Sequence, residues 1–419
     1  MSNKYSVVVV GLGKRGGHHT SAFQASDRLE VTGICDIDED RLAKAKEELG
    51  GAVEASTDAA ALATSLKPDV FCFCTMPHLR EPFIQMGIDA GAKLIAFEKP
   101  VADSSAAAMA VKKLIDGSGV KAVVSHQHRY GPHYTKVAEI ARSGALGNVH
   151  TIYASAPGWM MHMASHMIDY MREYNGWAEA EWVMAQAAGD GKLGDNHPSP
   201  DYIAGFVNFA NGVRGVVELG AGAPNVPEVG KWWGRNRIRV MGDGGYAEVL
   251  TNGGWRSVTG DGVQSGEGAM NYAHDTPLYV QDMAEWLDDD GRVHPCNFES
   301  AYKGADIMMG LVRSAIDGTL VSDAPESERY SHLTRVALLW FGVLIATAAL
   351  HYVQLMVLQT TGQRIMLDLR RQLFAHLLRQ DHKLFDRQPV GRLMTRLTSD
   401  IEALNELFTS GLVTVATDI

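Results

Sequence analysis

The stretch YSVVVVGLGKRG, residues 5–16, decides how the N-terminal part of this 419-residue chain folds. Tyr5–Val10 is a β-branched run without polar alternation, which suits a strand buried on both faces. Three glycines follow at once, Gly11, Gly13 and Gly16, and HHTSAFQA (residues 18–25) then reads as helix. LEVTGICD (29–36) reads as a second strand ending at Asp36. In a strand–glycine loop–helix unit, Gly11 permits the tight turn and Gly13 lets the backbone approach a pyrophosphate. Gly16 lets the helix pack on the strand. The helix N-terminus then offers free N–H groups and the positive end of its dipole. Lys14 and Arg15, inside the loop, are expected to join the cofactor contacts. Asp36 follows Gly16 by twenty residues, the distance at which a carboxylate accepts from the adenosine ribose hydroxyls. Its charge would repel a 2′-phosphate, so NAD is expected over NADP.

Strands and helices go on alternating: helix over Glu39–Leu49, strand over Val70–Cys74, helix near Arg80–Ala90, then strands over Lys93–Phe97 and Lys121–Ser125. This pattern predicts a doubly wound parallel sheet. Ligands of such sheets sit at the carboxyl ends of the strands. Two of those ends carry Thr75-Met76-Pro77 and Glu98-Lys99-Pro100, so Thr75, Pro77, Glu98 and Lys99 are expected at the cofactor edge. Pro100 ends the ladder. Lys99 is then placed to bond a substrate oxygen and steady a developing alkoxide; the alternative is an exposed lysine in a turn. A second cluster is MHMASHMIDYMREY (161–174), in which His162, His166 and Asp169 fall on one helix face. A histidine paired with a carboxylate can relay a proton; a packed pair of core histidines is the alternative. No HExxH pattern is present and no metal is expected.

Together GLGKRG, Asp36, EKP at Glu98–Pro100 and HMIDY at His166–Tyr170 resemble the Gfo/Idh/MocA family, the relatives of glucose–fructose oxidoreductase and inositol dehydrogenase. The resemblance covers roughly residues 4–322. It implies a Rossmann domain (1–122) and a C-terminal α/β domain (123–325) with a large, mostly antiparallel sheet. It also implies hydride transfer between a nicotinamide and a carbinol carbon of a sugar, inositol or related polyol. By the same resemblance Lys99 is the EKP lysine and His166 the active-site histidine; the substrate hydroxyl is expected between them, with His166 taking its proton as the hydride leaves for the nicotinamide and Lys99 steadying the oxygen. Many members carry an acid four residues before that histidine; here the position is His162, which would take over the relay. Arg129, in SHQHRYGP (125–132), falls on the family's arginine and is expected at the substrate, and His126 and His128, which flank it, are candidates to line the pocket; polar residues at a strand end are the alternative. Homo-oligomers through the open face of the sheet are a further implication. Sequential strands in 148–242 are expected to pair antiparallel, with late helices near Tyr279–Leu287 and Ser300–Ile316. Trp159, Trp232 and Trp233 are candidates to line a sugar pocket.

The formal net charge of −11 argues against nucleic acid as a partner. The four cysteines, Cys35, Cys72, Cys74 and Cys296, form no metal or redox spacing and read as reduced core thiols. The tail follows another logic. Between Arg335 and Arg364 there is no Asp, Glu, Lys or Arg, and VALLWFGVLIATAAL (336–350) is a membrane-span candidate. Residues of about 330–419, above all PVGRLMTR (389–396), resemble the transmembrane domain of ABC exporters. The match runs over the second membrane helix, the first intracellular loop and its coupling helix, ending inside a third helix. Arg364, Arg370, Arg371, Arg379 and Lys383 would face the cytoplasm, leaving a dehydrogenase joined through one span on the other side. The tail (326–419) is therefore expected to be a truncated exporter fragment, and a genuine membrane anchor is the rival. The dehydrogenase region is expected in the cytoplasm, and at a membrane if the tail inserts. A catalytically silent dinucleotide-binding regulator is the alternative function.

Overall fold

The computed structural model describes residues 4–189, 199–230, 234–322, 331–380, 389–400 and 402–403. Its contacts divide the chain into two units, Met1–Asp323 and Ala324–Ile419. Trp232 and Trp233 lie outside the described residues.

The first unit opens with alternating strands and helices. These are β1 (Tyr5–Val10), α1 (Lys14–Gln24), β2 (Leu29–Cys35), α2 (Glu39–Glu48), β3 (Glu54–Ser56) and α3 (Ala59–Leu66). They continue as β4 (Val70–Phe73), α4 (Arg80–Asp89), β5 (Leu94–Phe97), α5 (Ser105–Ser118) and β6 (Lys121–Val124). The six strands are all parallel, in the order β3-β2-β1-β4-β5-β6. Successive residues of β1 serve opposite faces, as the pleat requires. Val8 and Val10 pack with Phe71, Phe73, Ile95 and Phe97. Val7 and Val9 pack with Phe23, Val70, Cys72 and Leu94 on the other side. All four valines are at most 4% exposed, and each contributes about 1.5–3 kcal/mol by leaving water. Burial on both faces is why the run lacks polar alternation. The strand order reverses between β1 and β4, so the loops after these strands, and after β5 and β6, open on the crevice where such sheets bind ligands.

The chain continues through α6 (Pro132–Arg142), β7 (Val149–Ala156), α7 (Met160–Tyr174), β8 (Ala180–Ala188), β9 (Tyr202–Phe209) and β10 (Arg214–Gly220). Then come β11 (Arg237–Gly242), β12 (Gly245–Leu250), β13 (Gly254–Thr259), β14 (Gly262–Gly266), α8 (Tyr272–Asp288), α9 (Phe298–Asp317) and β15 (Val321–Ser322). The nine strands form one sheet, ordered β14-β13-β12-β11-β7-β10-β9-β8-β15. Its pairs are antiparallel except the central one, where β10 runs parallel to β7. One parallel pair agrees with the mostly antiparallel sheet expected: two hairpin systems meet at β7, and the join is set by α7 and β8–β9 lying between its members in sequence. Strands β8 and β12–β15 were not among the expected ones. Helices α6, α7 and α9 cover one face. On the other face Met184 and Phe206 are cross-strand neighbours, 47% and 49% exposed.

Helix α7 is the element that matters most for function. Most of its residues are buried, from Met160 to Tyr174, because it packs on β7, β10 and α9 at once. Its His162 and His166 are therefore positioned by the nine-stranded sheet and α9.

In the second unit α10 runs without interruption over Ser331–Leu378. The span expected for Val336–Gln359 is thus part of a helix twice that length. Its part Ala337–Leu378 reaches a mean hydropathy of 1.8 in its most apolar window and is long and apolar enough to cross a membrane. A short helix, α11 (Val390–Thr395), covers most of PVGRLMTR and passes into a π-helical turn at Arg396–Asp400. The expected third helix falls largely outside the described residues.

Candidate active site

The glycine loop is built by close backbone approach. Gly11 has φ +83°, and a Cβ there would stand 2.7 Å from the Cys74 carbonyl oxygen. A Cβ on Gly16 would stand 1.7 Å from the Gly11 carbonyl oxygen, so no side chain fits. Gly13 differs: nothing lies within 4 Å of the corresponding point. Gly13 is also the N-cap of α1, and no side chain caps that helix. The first N–H groups of α1 thus face open room, which fits a pyrophosphate. Asp36 ends β2 as expected, but it is nearly buried and already committed in part. Its Oδ2 accepts from the Leu12 N–H at 2.5 Å and its Oδ1 from the Asp38 N–H at 2.9 Å. The carboxylate holds the loop in shape as well as carrying the charge expected at the ribose.

Two cavities lie beyond the loop. The first, about 260 Å³, is lined by Arg15, Thr75, Pro77, Arg80, Glu98 and Lys99, with Cys74, Met76, Ser125 and Gln127. It brings together five of the residues expected at the cofactor edge. Thr75 Oγ1 is buried there without a hydrogen-bond partner among the described residues, a polar atom suited to a ligand amide. The second, about 340 Å³, is lined by Lys14, Tyr134, Gly158, Trp159, Met163, Met167, Tyr170, Asn236, Thr251 and Met270. His128, His162, His166 and Tyr272 line both and form the wall between them. Lys14, expected at the cofactor, thus borders the second cavity, since as the first helical residue its side chain points back past the loop.

Arg15 likewise turns inward. Its Nε donates to Glu98 Oε1 at 3.0 Å, and its guanidinium lies 4.6 Å from the Tyr272 ring centre. His19 Nε2 shares the same carboxylate oxygen at 2.9 Å. Burial alone would raise the Glu98 pKa, but Arg15, the His19 bond and Lys99 outweigh it and hold the carboxyl well below its usual range. His19, Cys74 and Glu98 lie close enough to share an ion. The Arg15 guanidinium already supplies the positive charge such an ion would bring.

The reaction centre gathers at the end of β5. Lys99 Nζ lies 2.8 Å from His162 Nε2 and 3.4 Å from the His162 carbonyl oxygen. An ammonium only donates, so with Lys99 charged His162 Nε2 is the acceptor. The Trp159 ring stands 6.0 Å from that of His162. His166 is 7% exposed, and its Nδ1 is 3.4 Å from the Tyr170 hydroxyl. Burial, then Lys99 and the neighbouring rings, push His166 well below the ordinary imidazole value. His126 meets His166 edge-on at 5.4 Å, and burial pushes it down to about 4. Among the described residues neither of its ring nitrogens has a hydrogen-bond partner, and it lines neither cavity.

Two expected roles are not what the geometry provides. Asp169 does not pair with His166. Its Oδ2 accepts from Arg129 Nη2 at 2.5 Å, both side chains at most 3% exposed, and its Oδ1 stands 3.6 Å from His126 Nδ1. Arg129 also donates to the Pro295 carbonyl and covers the Trp177 ring. A buried guanidinium needs a carboxylate more than a neutral imidazole does, so the pair forms beneath the cavities and outside their lining. Asp169 and Arg129 brace each other as an internal strut, and neither lines either of these two cavities. Sequence reasoning also missed Arg80, 1% exposed, which donates to the carbonyls of Thr75 and Pro100 and so ties the loops after β4 and β5 together. Burial pulls its pKa down to about 10. Nor did it find Tyr272 and Asp275, which arrive from α8 with no local signal in YAHDTP.

Two family models match the chain. Residues 5–126 match the oxidoreductase family with the NAD-binding Rossmann fold. Residues 303–419 match the ABC transporter transmembrane region. The first of these is the Gfo/Idh/MocA model, and residues 5–126 are similar to that family. The transmembrane match begins inside α9, whose Ile307, Met308 and Leu311 are core residues of the first unit. A protein of Sinorhizobium fredii described as uncharacterized, y4oX, is 27% identical over 267 residues, 58% of this chain and 72% of its own. D-apiose dehydrogenase of Paraburkholderia graminis is 26% identical over 144 residues, 34% of this chain and 38% of its own. The ABC transporter ATP-binding protein YknV of Bacillus subtilis, also uncharacterized, is 32% identical over 110 residues, 26% of this chain. The chain spans 18% of the length of that relative. Among solved structures, an oxidoreductase from Agrobacterium radiobacter in complex with NAD+, L-tartaric acid and magnesium superposes with a TM-score of 0.67 at 16% identity. It covers 76% of this chain and 98% of its own. GenD2 from gentamicin A biosynthesis, in complex with NAD, gives 0.63 at 20% identity, with 78% and 98% covered. These likenesses show that the chain shares, over about three quarters of its length, the fold of these oxidoreductases.

Proposed function

We propose that the first unit is an NAD-linked dehydrogenase acting on a carbinol carbon of a sugar, inositol or related polyol. The observation that carries this reading is the wall of His128, His162, His166 and Tyr272, with Lys99 beside it, between a cavity at the glycine loop and a second, ligand-sized one. Gly11, Gly13, Gly16 and Asp36 would hold the dinucleotide, with Thr75, Pro77 and Glu98 beside its nicotinamide. Bound NAD supplies the acceptor for the hydride that leaves the carbinol carbon. Lys99 orients the hydroxyl oxygen and steadies its negative charge as the proton departs. His162 fixes the lysine in place of the usual acid. Met163, Met167 and Met270 give the second cavity an apolar side, and among the described residues no carboxylate lines it. This favours neutral or acidic substrates over amino sugars, since Lys14 and Lys99 repel a cation.

The finer parts of the reading follow from the resemblance and the fold. The dinucleotide domain is taken as 1–122, the substrate domain as 123–325 and the exporter-like segment as 326–419. Homo-oligomers are expected through the open face of the nine-stranded sheet, where Met184 and Phe206 stand exposed. The dehydrogenase works in the cytoplasm, where NAD is supplied; membrane contact would arise through α10 only if the tail inserts. A panel of polyols and aldoses offered to the full chain with NAD tests the proposal by nicotinamide absorbance. Reduction with at least one neutral or acidic member is expected. NAD binding without turnover on any of them would favour a dinucleotide-binding regulator.

A further inference from the structure

We infer that the base taking the substrate proton is His128, held by Asp275. The inference rests on the dehydrogenase reading and deepens it.

Oxidation of a carbinol breaks the C–H bond, whose electron pair leaves with the hydrogen to the nicotinamide of NAD, and forms the C=O bond. The hydroxyl proton must go to a protein group. Four histidines stand at the centre, and their partners differ. His162 meets Lys99 at 2.8 Å. His126 lines neither cavity. His166 has Tyr170 at 3.4 Å, and the buried carboxylate on its own helix, Asp169, is held by Arg129. His128 lines both cavities, and its Nδ1 lies 3.2 Å from Asp275 Oδ2. A carboxylate accepts, so Nδ1 carries the proton and Nε2 is left as the acceptor. The Asp275 side chain is 2% exposed, sits in the first turn of α8, and has its other oxygen 3.2 Å from His274 Nδ1. The carboxylate is thus fixed at both oxygens. It favours the imidazolium that forms when Nε2 takes the proton, as an oriented carboxylate does for a catalytic histidine.

The charged and titratable groups facing His128 come from five elements. Arg15 from α1 and Lys99 after β5 disfavour its protonation, and Asp275 from α8 favours it. His166 from α7 stands 5.7 Å away, ring to ring, Tyr272 from α8 at 4.9 Å, and His133 from α6 is electrostatically coupled to it. Burial comes first and leaves His128 below the ordinary value, hence neutral and able to accept at neutral pH.

The test uses the full chain in detergent. Histidine-selective proton–nitrogen spectra are recorded against pH for the wild type, H128N and D275N, the H128N spectrum assigning the His128 signal. The His128 midpoint is expected to move to lower pH in D275N; an unmoved midpoint overturns the inference. In kinetics, D275N is expected to lower kcat on the order of 100-fold with KM little changed, and to move the acid limb of kcat/KM the same way. D275E is expected to restore part of the rate. Turnover that persists in both D275N and H128N but vanishes in H166N refutes the inference alone. A wild type inactive on every substrate refutes the dehydrogenase reading with it.

Discussion

Removing one member of the Arg129–Asp169 pair separates a strut from a chemical group. Both side chains are at most 3% exposed, and the guanidinium donates to the carboxylate at 2.5 Å. Asp169→Asn leaves a buried guanidinium without its counter-charge, a loss of about 3–5 kcal/mol. The first unit has 323 residues, and at ~2.1 cal/mol/K per residue its unfolding entropy is about 0.7 kcal/mol/K. A loss of about 4 kcal/mol therefore lowers Tm by about 6 °C. Arg129→Met should cost a similar amount, since it strands the carboxylate. The double variant R129M/D169N removes both charges and should lose much less than the sum, giving a coupling of at least ~2 kcal/mol. Scanning calorimetry of the four proteins measures this directly. Below the lowered Tm, kcat should stay within a fewfold of wild type, because neither residue lines either of the two cavities at the reaction centre. If D169N kept its Tm and lost turnover instead, Asp169 would be a member of the proton path and the strut assignment wrong.

Three further outcomes are expected. Gly16→Ala places a Cβ 1.7 Å from the Gly11 carbonyl oxygen, so the loop must shift; NAD affinity measured by fluorescence titration should fall at least tenfold, and unchanged affinity would refute the loop's role. Asp36→Ser removes the charge that disfavours a 2′-phosphate, so the ratio of kcat/KM for NAD to that for NADP should drop; a ratio that holds would mean the carboxylate acts only on Leu12. The buried histidines make stability pH-dependent: burial lowers His126 to about 4 and His294 to about 3. A depressed histidine pKa means the unfolded chain binds the proton first. Its contribution is whole above about pH 6.5 and is lost as pH falls toward those values, at up to about 1.4 kcal/mol per pH unit for each group. Tm should therefore decline from pH 6.5 to 4, and less steeply in His126→Phe; a flat Tm across that window would contradict it.

The parts of the fold that were legible in the sequence rest on local chemistry. Val7–Val10 can only be a strand buried on both faces, and Gly11 and Gly16 can only be glycine where backbone meets backbone. The loops carrying Thr75 and Lys99 follow from strand ends and proline. What was not legible depends on contacts distant in sequence. Nothing near Asp169 signals that Arg129, forty residues away, claims its carboxylate. Nothing in YAHDTP signals that Asp275 will meet His128 across 147 positions. The parallel β7–β10 pair is likewise decided by how two hairpin systems share a sheet, which strand-by-strand reading does not reach. The tail was legible by composition alone, because a run without charge from Val336 to Gln363 suits one environment.

The most direct measurement of the central claim is NAD reduction by the full chain across the polyol and aldose panel, run in parallel with Lys99→Ala and with NAD binding followed independently. The expected result is turnover by the wild type, a loss of kcat by orders of magnitude in the variant, and nearly equal NAD affinity in both. Equal turnover in the two proteins, or tight NAD binding with no turnover in either, would contradict it.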